Sequence, residues 1–189
     1  MRASIENNIA VNVSGQLHMT VYSSLMAALI AVGAFIAIPI GPVPIVLQNM
    51  FVILAGLLLG SRWGLASVGV YLLAGLVGLP VFSGGGAGLG HLFGPTGGYL
   101  VGYLPAVFLI GLASGKSTSV LIKIAALIGG TALVYLLGVS WLKVVTGMTY
   151  TKAITVGMLP FLIGDGIKIV AALAISKAIA PVISKDRTR

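Results

Sequence analysis

Charge is what this chain has least of: 7% of its 189 residues are Asp, Glu, Lys or Arg, and only three are acidic. Soluble domains carry about a quarter charged residues, so a water-facing surface cannot be covered here. The gaps are longer than the average implies, with no charged side chain in the 55 residues 7–61 or the 53 residues 63–115. Cysteine is absent, which excludes a disulfide framework, a thiolate metal site and a cysteine nucleophile without identifying a compartment. The first 19 residues are polar and Asn-rich and lack the basic start, short apolar core and cleavage site of a signal peptide. The first apolar run is therefore expected to be retained. What the chain does have is apolar surface, with 58% hydrophobic residues and a mean hydropathy of +1.14. A soluble globule, a disordered chain and a nucleic-acid-binding domain are excluded, and the solvent this sequence expects is a lipid bilayer.

A spanning helix needs about 20 mostly apolar residues. Six segments qualify, at 20–40, 45–60, 64–82, 97–114, 120–142 and 158–183. The second is short and follows Pro42 and Pro44, which points to an oblique entry. Alternating ten-residue strands of the outer-membrane type are absent. The expected fold is all-α: a polar N-terminal tail over 1–19, a six-helix integral membrane bundle over 20–183 and a basic C-terminal tail over 184–189. The net charge of +8 fits this topology without an acidic partner. One face of the bundle would carry Arg2, Arg62, Lys116, Lys123, Lys177, Lys185, Arg187 and Arg189, and the other only Lys143 and Lys152. Cytoplasmic loops collect Lys and Arg, so both termini are expected in the cytoplasm. The elaborate connections 41–44, 83–96 and 143–157 then face outside, where a solute would arrive.

Asp165 is the only acidic residue between Glu6 and Asp186, and Lys168 follows three positions later. That spacing puts both on one helix face, where they can pair. An ionisable group within a span costs about 2.5–3.5 kcal/mol on insertion scales and usually points into the bundle as part of a functional site. The plainer reading is a neutral pair that pins the sixth span to its neighbours. Stretch 83–98 holds eight glycines, and successive N–H groups of such a segment can form an anion-binding concavity. Leu89, His91, Leu92 and Phe93 interrupt it and Pro95 stiffens it, so a ligand-covering loop is favoured over a flexible linker. Gln48 and Asn49 bring amide donors and acceptors into a span that has few others. For Asn49 an interhelical hydrogen bond is the better expectation. Tyr99 alone reads as an interfacial aromatic. His91 has no second ligand at metal spacing and His18 lies in the tail, so no metal site is expected.

One motif is a decoy. Residues 111–117 resemble a phosphate loop, but three residues rather than four separate Gly111 from Gly115-Lys116-Ser117, and no strand precedes them. The chain has no ATP site of its own by this reading, so energy for uphill transport would have to come from elsewhere. In the first span Ser23, Ala27 and Ala31 recur every four residues, with Ser24 and Ala28 alongside. Such a stripe serves close packing within the bundle or docking of a partner helix, and the sequence does not separate the two.

Four segments together resemble one family: Pro42-Val43-Pro44-Ile45-Val46-Leu47-Gln48; Gly78-Leu79-Pro80-Val81-Phe82 running into Gly84-Gly85-Gly86; Gly94-Pro95-Thr96-Gly97-Gly98-Tyr99; and Pro160-Phe161 with Gly164-Asp165 and Lys168. They are similar to BioY, the biotin-specific substrate-binding (S) component of energy-coupling factor (ECF) transporters. Val46 and Asn49 stand where that family tends to have Thr. The resemblance implies a six-helix plasma-membrane protein that is not an enzyme, needs no cofactor and takes biotin from outside. It also implies a transmembrane coupling protein and two cytoplasmic ATPases as partners, with Ala27 and Ala31 at the docking face. The expected substrate site is Asp165, Lys168, Gln48 and Tyr99 with Gly85, Gly86, Gly90, His91 and Phe93 from the loop. The alternatives are a non-transporting assembly subunit, which leaves the glycine loop unexplained, and a small-solute facilitator, which would need a continuous polar path. A membrane enzyme using Asp165 as base would need a second catalytic group.

Overall fold

The computed structural model describes residues 2–116 and 119–187, with side chains over 15–115 and 119–183. Arg189 of the charge count and Ser117 of the decoy motif lie outside the described residues. The main elements are α1 (Arg2–Phe35), β1 (Ala37–Ile38), β2 (Ile45–Val46), α2 (Gln48–Leu76), α3 (Gly88–Leu92), α4 (Gly97–Lys116), α5 (Val120–Thr146), α6 (Tyr150–Gly157) and α7 (Leu162–Arg187). Among the described residues, five helices are long and apolar enough to cross a membrane. Backbone groups in hydrocarbon must be satisfied internally, which is why the apolar runs are helical. Isoleucines 163 and 167 and Val170 of α7 point outward, while Asp165, Lys168 and Ala172 of the same helix are buried. The exterior is apolar and the interior holds the polar groups, as a lipid solvent requires.

Hydropathy separates spans at 45–60 and 64–82, whereas the structure has one helical element, α2, interrupted at Gly60 with φ 77° and ψ −174°. The interruption is a reversal. A Cβ placed on Gly64 would stand 3.1 Å from the carbonyl oxygen of Ala55, a proximity that a straight helix forbids to residues nine apart. Gly60 supplies the positive φ, and Gly111 of α4 packs so closely on Gly60 and Ser61 that a Cβ there would overlap their backbone. The two arms of α2 therefore run antiparallel, which gives six apolar rods. The first arm, 48–59, is about 18 Å long at 1.5 Å per residue, shorter than the roughly 30 Å hydrocarbon core.

The first span ends earlier than its hydropathy. After Phe35, Ala37 pairs with Val46 and Ile38 with Ile45 in a two-residue antiparallel ribbon. The Leu47 N–H anchors it on the carbonyls of Gly33 and Ile36, both at 3.1 Å. Helix α5 continues to Thr146 and stops at Gly147 in the left-handed conformation, and the connection after it contains the short helix α6. The main core joins α1, α2, α4 and α7, and a smaller one gathers Val43, Tyr99, Tyr135, Val139, Leu142, Ala153 and Phe161 at the loop end.

Ala27 is buried in this core and Ala31, half-buried, packs against it. Ser23 on the same stripe bonds the Trp63 carbonyl at 3.1 Å and Ser67 Oγ at 3.0 Å, which turns that face toward α2. Ser24 and Ala28, one position along, face outward.

The reversal makes a measurable demand on residue 60. Gly60→Ala is expected to cost about 1–2 kcal/mol of stability by forcing an L side chain into positive φ. Gly69→Ala, where the added Cβ meets nothing within 4 Å, is expected to be neutral or stabilising by up to about 1 kcal/mol. Thermal unfolding of both variants in detergent checks the pair; equal midpoints would reject the strained reversal.

Candidate functional site

The polar residues of the interior converge where the start of α2 meets the start of α7. Gln48 and Asn49 stand at the first turn of α2 because the ribbon 37–46 delivers the chain there, and Asp165 lies in the first turn of α7. Asp165 and Lys168 form an ion pair at 3.0 Å. Asn49 bridges them, donating from Nδ2 to Asp165 Oδ1 at 2.6 Å and accepting from Lys168 Nζ at 2.9 Å. Lys168 also donates to the Val46 carbonyl at 2.8 Å. From α5, the Tyr135 hydroxyl donates to the other carboxylate oxygen of Asp165. Asp165, Lys168 and Gln48 are 5%, 9% and 2% exposed, so both charges are desolvated and depend on these partners. The Gln48 amide and the Tyr71 hydroxyl, both buried, lie against each other beside this cluster.

This cluster forms one wall of an interior cavity between α2, α4, α5 and α7. Val52, Ile53, Leu100, Ala106, Ile110 and Val134 make the rest mostly apolar, and Ser83, His91 and Thr96 of the long loop border it. Of the expected site residues, Asp165, Lys168, Gln48, Tyr99 and His91 line this cavity. Tyr99 does not sit in an interfacial belt: it is buried, and its hydroxyl donates to the Gly157 carbonyl at 2.7 Å.

The glycines and Phe93 are elsewhere. Gly85 and Gly86 shape the turn that brings the Phe82 N–H to the Gly86 carbonyl at 3.0 Å, Gly90 is exposed, and none of the three lines the cavity. Phe93 is 62% exposed and leans on Trp141, with ring centroids 6.4 Å apart. It borders a separate apolar groove between α4 and α5. Gly86 packs against the ring of His91, which does line the cavity. Leu89, expected as an anchor, is exposed too.

The anchors are Phe82 and Trp141. Phe82 is fully buried, fills the space left by Gly75, meets Tyr71 edge-on at 5.6 Å and stacks on His91 at 5.1 Å. His91 Nε2 lies 3.3 Å from Thr96 Oγ1, and burial lowers the pKa of its imidazole. Trp141 donates to the Gly94 carbonyl at 3.0 Å. Sequence reasoning missed Tyr135, Phe82 and Trp141 as parts of the site and its cover. A tyrosine in mid-span was the one available signal for the first.

Fold and site define a class: a multi-pass membrane protein with a buried polar cluster on the wall of a mostly apolar cavity that a glycine-rich loop borders. The chain belongs to the BioY family, whose profile matches residues 6–185. It is similar to the probable biotin transporter BioY of Pyrococcus horikoshii, with 41% identity over 154 residues, covering 82% of this chain and 91% of that one. The biotin transporter BioY of Thermotoga maritima is also 41% identical, over 160 residues, covering 85% and 94%. Among solved structures, the crystal structure at 2.1 Å of the S-component for biotin from an ECF-type ABC transporter superposes with a TM-score of 0.80 at 36% identity, covering 87% of this chain and 91% of that one. These relatives are named as transporters or a transporter component, not as enzymes.

The loop's grip has a local test. Phe82→Leu is expected to lower the local opening free energy by about 1 kcal/mol, read as roughly fivefold faster amide hydrogen exchange over 83–96 with the spanning helices unchanged. Equal exchange would show that Phe82 does not hold the cover.

Proposed function

We propose that this protein is the high-affinity biotin-binding S component of an ECF-type vitamin importer. The observation that carries the reading is the buried Asp165–Lys168 pair, set with Gln48 at the polar end of an otherwise apolar cavity. Biotin presents two ureido N–H donors and one carbonyl acceptor on fused apolar rings with an aliphatic chain. Asp165 accepts from an N–H, and Lys168 or Gln48 donates to the carbonyl. The aliphatic wall receives the rings and chain, with Tyr99 and His91 completing the lining. Loop N–H groups or water meet the carboxylate. The names of the similar proteins support this choice of ligand over other small cyclic amides.

The protein is placed in the plasma membrane with the loop end outside and both termini in the cytoplasm. ATP-driven delivery is assigned to a transmembrane coupling protein and two cytoplasmic ATPases. Gly111 and Gly115 lie within helix α4 rather than in a strand-to-helix loop, so the decoy motif does not form a phosphate cradle. The apolar exterior, with Ile163 and Leu121 about four-fifths exposed (81% and 77%), would make the reorientation within the membrane that the family resemblance implies less costly.

Detergent-purified wild-type protein is expected to bind labelled biotin at equilibrium. Asp165→Asn is expected to weaken binding more than about a hundredfold, the effect of breaking a buried charge pair, while membrane insertion survives. Unchanged affinity in the variant would reject the site, and absent binding by the wild type would leave an assembly subunit as the better reading.

A further inference from the structure

The groove between α4 and α5 faces outward at the loop end, apart from the interior cavity. Leu137, Ser140, Trp141 and Val144 recur at i, i+3, i+4 and i+7, so they form one stripe of α5, about 10 Å long. Val101 faces them from α4, and the exposed ring of Phe93 stands at the end, leaning on Trp141. Gly98 sets the seam beneath: a Cβ there would overlap the Trp141 side chain. Ser140 is the one polar side chain in the lining, which carries no charge.

The charge stands at the end of the groove. Lys143, next to Val144, lies in the last turn of α5. Its ammonium is 4.5 Å from the centre of the Tyr150 ring, a face that attracts a cation without neutralising it. Among the described side chains no carboxylate pairs with it, because Asp165 is the only acid between Glu6 and Asp186 and is held by Lys168. An apolar furrow that ends at an unneutralised cation, on the lipid-facing side of a bundle, is complementary to an acyl chain below an anionic headgroup.

We propose that this groove binds an anionic glycerophospholipid, with one acyl chain between Val101 and Trp141 and the phosphate at Lys143. Trp141 also donates to the Gly94 carbonyl at 3.0 Å, so the bound chain packs on the residue that holds the loop. Occupancy of the groove thereby steadies the loop 83–96 and makes its opening depend on the lipid around the protein. This does not rest on the biotin reading.

The test uses the fluorescence of Trp141. The chain has two tryptophans, and Trp63→Phe leaves only this one while keeping the Trp63 carbonyl that Ser23 and Ser67 bond. The variant is reconstituted in vesicles of phosphatidylcholine and phosphatidylglycerol, with brominated acyl chains on one lipid or the other as quencher. Phosphatidylglycerol is expected to reach Trp141 with about fivefold preference, the worth of one cation near an anionic headgroup, and high salt is expected to reduce it. Adding Lys143→Gln is expected to bring the ratio to about one, and Lys143→Arg to keep the preference. In the wild-type chain, amide hydrogen exchange over 83–96 is expected to be slower in phosphatidylglycerol than in phosphatidylcholine, a difference that Lys143→Gln removes. A ratio of one before that substitution, or a preference that survives it, overturns the lipid site. Trp141 unquenched by either lipid overturns it too and puts a protein surface over the groove. Equal loop exchange in the two lipids overturns the coupling to the loop.

Discussion

Everything polar in this molecule is organised by one constraint: a carboxylate and an ammonium sit together in an interior surrounded by hydrocarbon. Neither charge is tolerable alone. The Asp165–Lys168 pair answers part of the demand, and Asn49, Tyr135 and the Val46 carbonyl answer the rest. The partners come from the ribbon and from α2, α5 and α7, so the pair is also where these elements are tied together. Removing any one of them leaves a donor or acceptor unsatisfied in a place where water cannot easily substitute.

The geometry of the helices follows from where that cluster has to be. The first arm of α2, about 18 Å long against a hydrocarbon core of roughly 30 Å, begins inside the bundle, where Gln48 is buried and Asn49 bonds both charges. Gly60 and Gly111 make the short arm possible, one by its positive φ and the other by the close approach of α4.

Much of this was legible in the sequence, for physical reasons that differ by residue. The all-helical bundle follows from composition, because lipid leaves the backbone no other partner. Asp165 and Lys168 stood out because an isolated acid in an apolar span is costly and its cation lay one turn away. The phase of α1 was not legible. Ser23-Ala27-Ala31 and Ser24-Ala28 are shifted by one position, about 100° of rotation, and only the contact of Ser23 with Trp63 and Ser67 decides which stripe turns inward. Tyr135 lies 30 positions from Asp165 with no local pattern linking them. In the loop, the glycines drew the eye, yet they shape a turn whose hold on the bundle comes from Phe82 and Trp141, residues that hydropathy files with the spans.

The hydrogen bonds around the pair explain how two charges persist in an interior surrounded by hydrocarbon. A polar pocket that relied on its ligand for satisfaction would be unstable when vacant, since each unmet buried donor or charge is unfavourable. Here the expensive groups, the two charges, are satisfied by the protein itself. What stands beside them is neutral, the Gln48 amide against the Tyr71 hydroxyl, and neutral groups are far cheaper to bury than ions.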